Sequence, residues 1–246
     1  MTSTASGPAP GPHTPTSLTV LPVVGLGEIR RGDDLAGLIA ARVDLAHGDV
    51  VVVTQKIVSK AEGRMVRIKP GDPADRLRII ESESVRVLRR RGDLVISETR
   101  HGFICANAGV DLSNVDEGWA ALLPEDSDRS ARRIRDGLRA ATGREVAVVV
   151  SDTFGRAWRK GVVDVAIGCA GLAAVVDLRG TADAMGRDLV ATEVCVADEV
   201  ASAAELVMGK ATSVPVAVVR GVDPAWLRRG SVAEEIIRPA AEDLFR

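Results

Sequence analysis

Short apolar runs recur along the chain and end in polar or glycine-rich breaks. Residues 146–150, VAVVV, are apolar without interruption. A short run bounded by turn signals reads as a buried strand. It stops at Ser151-Asp152-Thr153, which puts one carboxylate and two hydroxyls where the chain is expected to leave the sheet. DVVVVT (49–54) reads as a second buried strand, 94–98 and 214–220 read as further strands, and 18–29 reads as a strand followed by a glycine-containing turn. VDVAIGCAGL and AAVVDLRG, together 163–180, suggest sheet strands with close backbone packing at their glycines.

Other stretches have helical spacing. Leu35, Leu38, Ile39 and Val43 share a face of a helix that Asp33 or Asp34 can cap, and Gly48 follows it. Leu77, Ile80, Ser84, Val87 and Leu88 predict a long helix over 75–91. Another helix is expected over 126–140, capped by Ser127 or Asp128 and stopped by Gly143. LVATEVCVADEV passes from strand to a helix that runs to about Met208. Residues 55–64 read as a turn or helix start; if helical, Lys56, Lys60 and Arg64 share one face and repel unless an anion sits there. Strands and helices alternate irregularly, so the expected class is α+β with a mixed order, not a Rossmann sheet. Residues 1–17 read as a disordered tail and 18–246 as one domain, whose last 25 residues are polar and peripheral.

Composition narrows the function. The chain has 246 residues, 46% hydrophobic and 27% charged, which suits a globular protein with a sizeable core. Lys+Arg 32 against Asp+Glu 34 argues against bulk nucleic-acid binding. Aromatics are 2%, with no Tyr, so stacking platforms for single strands are scarce. No apolar run approaches the roughly 20 residues that span a bilayer. Cys105, Cys169 and Cys195 are widely spaced in apolar contexts and read as small buried hydrophobes, which fits a cytoplasmic protein without disulfides.

The familiar nucleotide motifs are missing. Met208-Gly209-Lys210-Ala211-Thr212 lacks the leading glycine of a P-loop and the hydroxyl directly after the lysine. No GxGxxG or GxSxG is present, and a histidine mechanism would rest on His101 alone. What recurs is an acid beside an amide or hydroxyl at a strand end: Asp111 with Asn114, and Asp152 with Thr153. Two such loops brought together would bind Mg²⁺ or Mn²⁺, with phosphate oxygens and water completing the shell. Asp111 and Asn114 equally suit an Asx-type turn. Lys56, Lys60 and the segment Arg156, Trp158, Arg159, Lys160 between Gly155 and Gly161 supply charge for phosphates, or are ordinary solvated surface.

LPVVGLGEI, GDVVVVTQKIVSKAEGR, ANAGVDLSNVDEG, LLPEDSDRSA, VVVSDTFGRAWRKGVVDVAIGCAGL, TEVCVADEVASAAELVMGK and PVAVVRG occur in this order. Together they resemble the coenzyme F420-0:L-glutamate ligase family over roughly 18–244. The resemblance implies addition of L-glutamate to the lactyl carboxylate of F420-0, then of γ-linked glutamates, with GTP, Mg²⁺ or Mn²⁺, and stimulation by K⁺. It implies an α+β fold that is neither P-loop nor ATP-grasp, and an intertwined homodimer. It carries nucleotide contacts onto Leu26, Gly27, Glu28, Ile29, Gln55, Lys60, Asn114 and the loop from Gly209 and Lys210 to about Val216. Asp111 becomes the first metal carboxylate and Asp152 the second, with Thr153 toward a second metal. Lys60 joins the two aspartates as a catalytic group. Many relatives carry an acid or amide where this chain has Lys210-Ala211. The competing readings are a metal-dependent nucleotide phosphohydrolase and a nucleotide-binding domain without turnover.

Overall fold

The computed structural model describes residues 17–244. The expected tail therefore lies outside the described residues, apart from Ser17. In chain order the first elements are β1 (Thr19–Pro22), α1 (Leu35–Ala40), β2 (Val50–Thr54), α2 (Gln55–Glu62), β3 (Met65–Arg67) and α3 (Pro73–Ser82). Then come β4 (Ser84–Arg91), β5 (Leu94–Thr99), β6 (Ile104–Ala106), β7 (Trp119–Ala121) and α4 (Ser127–Thr142). The chain finishes with β8 (Ala147–Gly155), β9 (Val162–Ala170), β10 (Val176–Asp177), β11 (Glu193–Val194), α5 (Val196–Met208), β12 (Val216–Arg220) and α6 (Val232–Glu235).

The largest sheet has the order β1-β12-β2-β8-β9. Only β2 and β8 pair in parallel within it, Val50 opposite Ala147 through Thr54 opposite Ser151. The other pairs are antiparallel. The fold is thus the irregular α+β mixture expected, not a series of βαβ units. The apolar runs fill the centre: Val50 to Val53, Val148 to Val150 and Val216 to Val219 have no exposed surface. A second, smaller core joins Ile79, Ile80, Val95, Val110, Ala120 and Leu122 under α3 and the β4-β5-β6 sheet.

Gly168 shows why glycine is needed in β9. A Cβ there would lie 2.3 Å from the carbonyl carbon and oxygen of Ser127. The bare backbone lets the start of α4 rest on the strand, where Asp128 accepts the Cys169 N–H at 2.8 Å.

Five expectations are corrected. The helix over 75–91 is α3 followed by β4. Asp72 caps α3 through the N–H groups of Ala74 and Asp75. The Ser84 hydroxyl then donates to the Ile80 carbonyl at 2.7 Å as the chain turns. Val85 and Val87 are β-branched and suit a strand, and Arg86 bonds Glu98 across the ladder at 2.6 Å. α1 stops at Ala40, short of Val43, and its cap Asp34 makes no side-chain cap bond. The 126–140 helix is capped by Asp126, whose carboxylate accepts the Arg129 N–H, and not by Ser127 or Asp128. The strand expected to stop at Ser151 runs on to Gly155, so Asp152 and Thr153 lie within a ladder opposite Val165 and Asp164.

The last correction concerns the C-terminal residues, which are not merely peripheral. Val232 is fully buried, and Asp128 accepts from the Ser231 hydroxyl and the N–H groups of Val232 and Ala233. Among the described residues, no helix is long and apolar enough to cross a membrane.

Candidate active site

The topology brings five separate segments to one edge of the main sheet. β2 and β8 both end there, because they are parallel and in register at Thr54 and Ser151. Ligands commonly bind beyond the carboxyl ends of parallel strands. β12 is antiparallel to β2, so the loop before it arrives at the same edge, with Val216 opposite Val53. β1 leaves at Pro22, opposite Ala217, which delivers residues 23–29. The fifth segment, 111–114, is held by a bridge between Asp111 and Ala121 and by Lys56.

α2 starts directly after β2 and points its lysines in two directions. The Lys56 ammonium lies 2.8 Å from Asp111 Oδ2 and donates to the Ser113 hydroxyl at 2.8 Å. Lys60 meets Glu28 Oε1 at 2.5 Å. The structure therefore joins two residues far apart in sequence, Glu28 and Lys60, that were expected on the nucleotide. The expected repulsive face does not form. Gly63 ends the helix in a left-handed turn, and Arg64 pairs with Glu83 at 2.9 Å. Each of the three cations pairs with a different acid, Glu83 being shared with Arg100.

Gln55 is 1% exposed and turns inward. Its Nε2 donates to the Leu122 carbonyl at 2.9 Å and to Ser59 Oγ at 2.8 Å. Leu26 and Ile29 are buried in the main core, so their side chains are taken up in packing. Gly27, at φ +72°, has open space where a Cβ would stand. Asn114 is exposed in the left-handed region, at φ 51°.

The acids form the centre. Burial works to raise the Asp111 carboxyl, but Lys56 and the Ser113 N–H outweigh it and hold it below the usual carboxylate range. Asp152 behaves in the opposite way. Burial pushes it up to about 7, against the Thr153 N–H, and the neighbouring charges of Asp111 and Asp164 add to the rise. Asp164 is 2% exposed and accepts from Ser151 at 3.0 Å and Thr153 at 2.6 Å. Lys210 closes the group from the loop after α5. Its ammonium lies 2.9 Å from Asp164 and 3.1 Å from Glu205, and it donates to the Thr153 hydroxyl.

This arrangement suits a hard divalent cation at Asp111 and Asp152. The charges of Asp111 and Asp164 add to the rise that burial causes at Asp152, and bound positive charge would relieve that repulsion. Among the described residues no three acids, histidines or cysteines converge on one point. Mg²⁺ commonly takes only one or two carboxylates, with phosphates and water filling its shell. Thr153, expected toward a second metal, has its hydroxyl hydrogen committed to Asp164 and its oxygen against Lys210.

Other candidates lie away from this chemistry. His101 Nε2 donates to the Pro124 carbonyl at 2.9 Å, and its ring stacks on Phe103. Burial raises all three thiols, so no cysteine is poised as a thiolate. Arg156 to Gly161 form the tip of the β8–β9 hairpin beyond Asp152, with Trp158 92% exposed.

Sequence reasoning missed Asp164 and Glu205. The signal for Asp164 was present: it is the one charge within the apolar stretch VVDVAIG, 162–168. A lone acid in a buried strand must find partners.

The sequence model of the family described as F420-0:Gamma-glutamyl ligase matches residues 24–221. A curated protein named Coenzyme F420:L-glutamate ligase, from Methanothermobacter thermautotrophicus, is 44% identical over 93% of this chain and 99% of its own length. Proteins of the same name from Methanopyrus kandleri and Archaeoglobus fulgidus are each 42% identical. They cover 94% and 92% of this chain, and 98% and 96% of their own lengths.

Proposed function

The chain belongs to the F420-0:gamma-glutamyl ligase family, and on that premise we propose how it forms the amide bond. It is a ligase that joins L-glutamate to F420-0 and then extends the product through γ-linkages. GTP is the phosphoryl donor, and the reaction passes through an acyl phosphate. The observation that carries this reading is Asp152, a half-buried carboxylate whose charge is felt by Asp111 and Asp164, at the edge where Glu28 and Lys60 also meet.

A carboxylate is a poor electrophile, so it must first be activated. One carboxylate oxygen of F420-0 attacks the γ-phosphorus of GTP, and the bond to the β-phosphate oxygen breaks, releasing GDP. The glutamate nitrogen then attacks the acyl carbon, and the carbon–oxygen bond to phosphate breaks. The ammonium gives up two protons, one retained by the released phosphate and one passed to solvent. No protein nucleophile takes part, in keeping with the raised thiols.

Mg²⁺ or Mn²⁺ held by Asp111 and Asp152 would neutralise charge on the phosphate oxygens. Lys60 contributes a further cation at the phosphates once Glu28 turns to other groups of the nucleotide. Backbone at Leu26, Gly27 and Ile29, the Asn114 amide and the loop at Gly209 hold the rest of it. Gln55 acts from the interior by fixing the first turn of α2 to Leu122. Lys210 supplies positive charge beside Thr153, where the resemblance implies a second ion. Stimulation by K⁺, a homodimer and a cytoplasmic site of action complete the proposal.

Isotope transfer tests the acyl phosphate. With ¹⁸O in the acceptor carboxylate, the proposal expects one labelled oxygen in the inorganic phosphate for each amide formed. Unlabelled phosphate alongside full amide formation would rule out this route.

A further inference from the structure

A cavity of about 550 Å³ lies under the smaller core, with Leu112, the residue after Asp111, in its lining. Volumes of roughly 300–1,000 Å³ are typical of small-molecule sites. Leu77 and Ile80 of α3, Leu112 and Val115 of the loop after Asp111, and Trp119 of β7 give it an apolar lining. The Arg67 guanidinium lies 4.3 Å from the centre of the Trp119 ring, which fixes the indole.

One polar group in the lining is anomalous. Arg76 Nε is buried and has no hydrogen-bond partner. The other guanidinium nitrogens of Arg76 also make no hydrogen bond or ion pair among the described residues, unlike the neighbouring Arg78 and Arg90, which bind Asp75 and Glu81. A buried donor left unpaired is costly, and a guanidinium in that state suits an anion.

We infer that this cavity binds the acceptor: its flat fused-ring end among Leu77, Leu112 and Trp119, with an anionic group of the same molecule on Arg76. The inference rests on the proposed function and adds where the acceptor lies. The loop that lines one side supplies the connection. Leu112 is adjacent to Asp111, and Val115 is adjacent to Asn114. In this inference the free end of the seated molecule reaches past Leu112 to Asp111. The guanine base is a poorer occupant, because none of the residues assigned to the nucleotide, from Leu26 to Lys60 and at Gly209 and Lys210, lines this cavity.

The test uses the full chain and F420-0 itself, titrated by deazaflavin fluorescence without glutamate, with GTP affinity measured in parallel. Arg76→Gln removes a side chain that bonds nothing, so its folding is expected to be unchanged. It should weaken F420-0 binding by about ten- to a hundredfold, the value of one charge-assisted contact, while GTP affinity stays as in the wild type. Leu77→Trp, which fills the cavity, should weaken F420-0 at least as much. Wild-type F420-0 affinity in both variants, with glutamate addition intact, would overturn this site and leave the ligase reading standing. A wild-type protein that neither binds F420-0 nor adds glutamate would overturn both.

Discussion

Asp152→Asn is expected to abolish glutamate addition and, without metal, to raise the melting temperature at pH 8. The two effects come from the same charge. In the folded protein burial, Asp111 and Asp164 raise the Asp152 carboxyl to about 7, against about 3.9 in an unfolded chain. Between those values the folded state holds a proton that the unfolded state has lost, so stability falls as pH rises from about 4 through 7. Each tenfold change in proton affinity is worth about 1.4 kcal/mol, which sets a ceiling of about 4 kcal/mol. Water reaching the half-buried Asp152 lowers that figure. Asparagine carries no charge at any of these pH values, so it escapes the penalty. A gain of about 5 °C at pH 8, vanishing near pH 4, is expected for a protein of this size. Mn²⁺ should reverse the order, since it stabilises whatever binds it in the folded state and only the wild type retains the ligand charge. Thermal melts at pH 4, 6 and 8, with and without Mn²⁺, check this. An asparagine variant that melts below the wild type at pH 8 without metal would remove the charge cluster from the account.

Asp128→Ala is expected to cause the largest loss of stability. One buried carboxylate accepts the Cys169 N–H at 2.8 Å, the Val232 N–H at 3.0 Å, the Ala233 N–H at 3.1 Å and the Ser231 hydroxyl at 2.7 Å. It ties α4, β9 and α6 at a single point. Alanine leaves those donors without an acceptor. At roughly 1–3 kcal/mol for each buried group left unpaired, and allowing some to find water, a loss of about 4 kcal/mol is expected. That is about 10 °C in melting temperature for a chain of this length. Asp128→Asn keeps one acceptor oxygen and should fall between. Denaturant melts of the two variants decide it, and a loss below about 1 kcal/mol for alanine would show that α6 is not anchored here.

The sequence made the central sheet legible because its strands are continuous apolar runs. β2, β8 and β12 fall on the runs 49–54, 146–150 and 214–220, with β8 running five residues further. Asp111 and Asp152 were legible as two acids, though not at a strand end for Asp152, which lies inside β8; in the structure the Asp111 charge adds to the rise of the Asp152 carboxyl. Where local patterns matched two periods, the reading failed. Ser84, Val87 and Leu88 fit a helical stripe, but the β-branched valines and the ladder to β5 made 84–91 a strand. Partners at long range were not legible at all. Nothing near Lys60 in sequence announces Glu28, and Asp128 meets α6 more than a hundred residues away. The same holds for Asp164 and Lys210, which only the β8–β9 ladder and the end of α5 place together.

The most direct measurement is the mass of F420-0 after incubation of the chain with GTP, Mn²⁺ and L-glutamate. The account predicts a gain of one glutamyl residue, followed by further equal gains, each dependent on GTP. An unchanged F420-0 mass while GTP is hydrolysed, or a gain that needs no nucleotide, would contradict it.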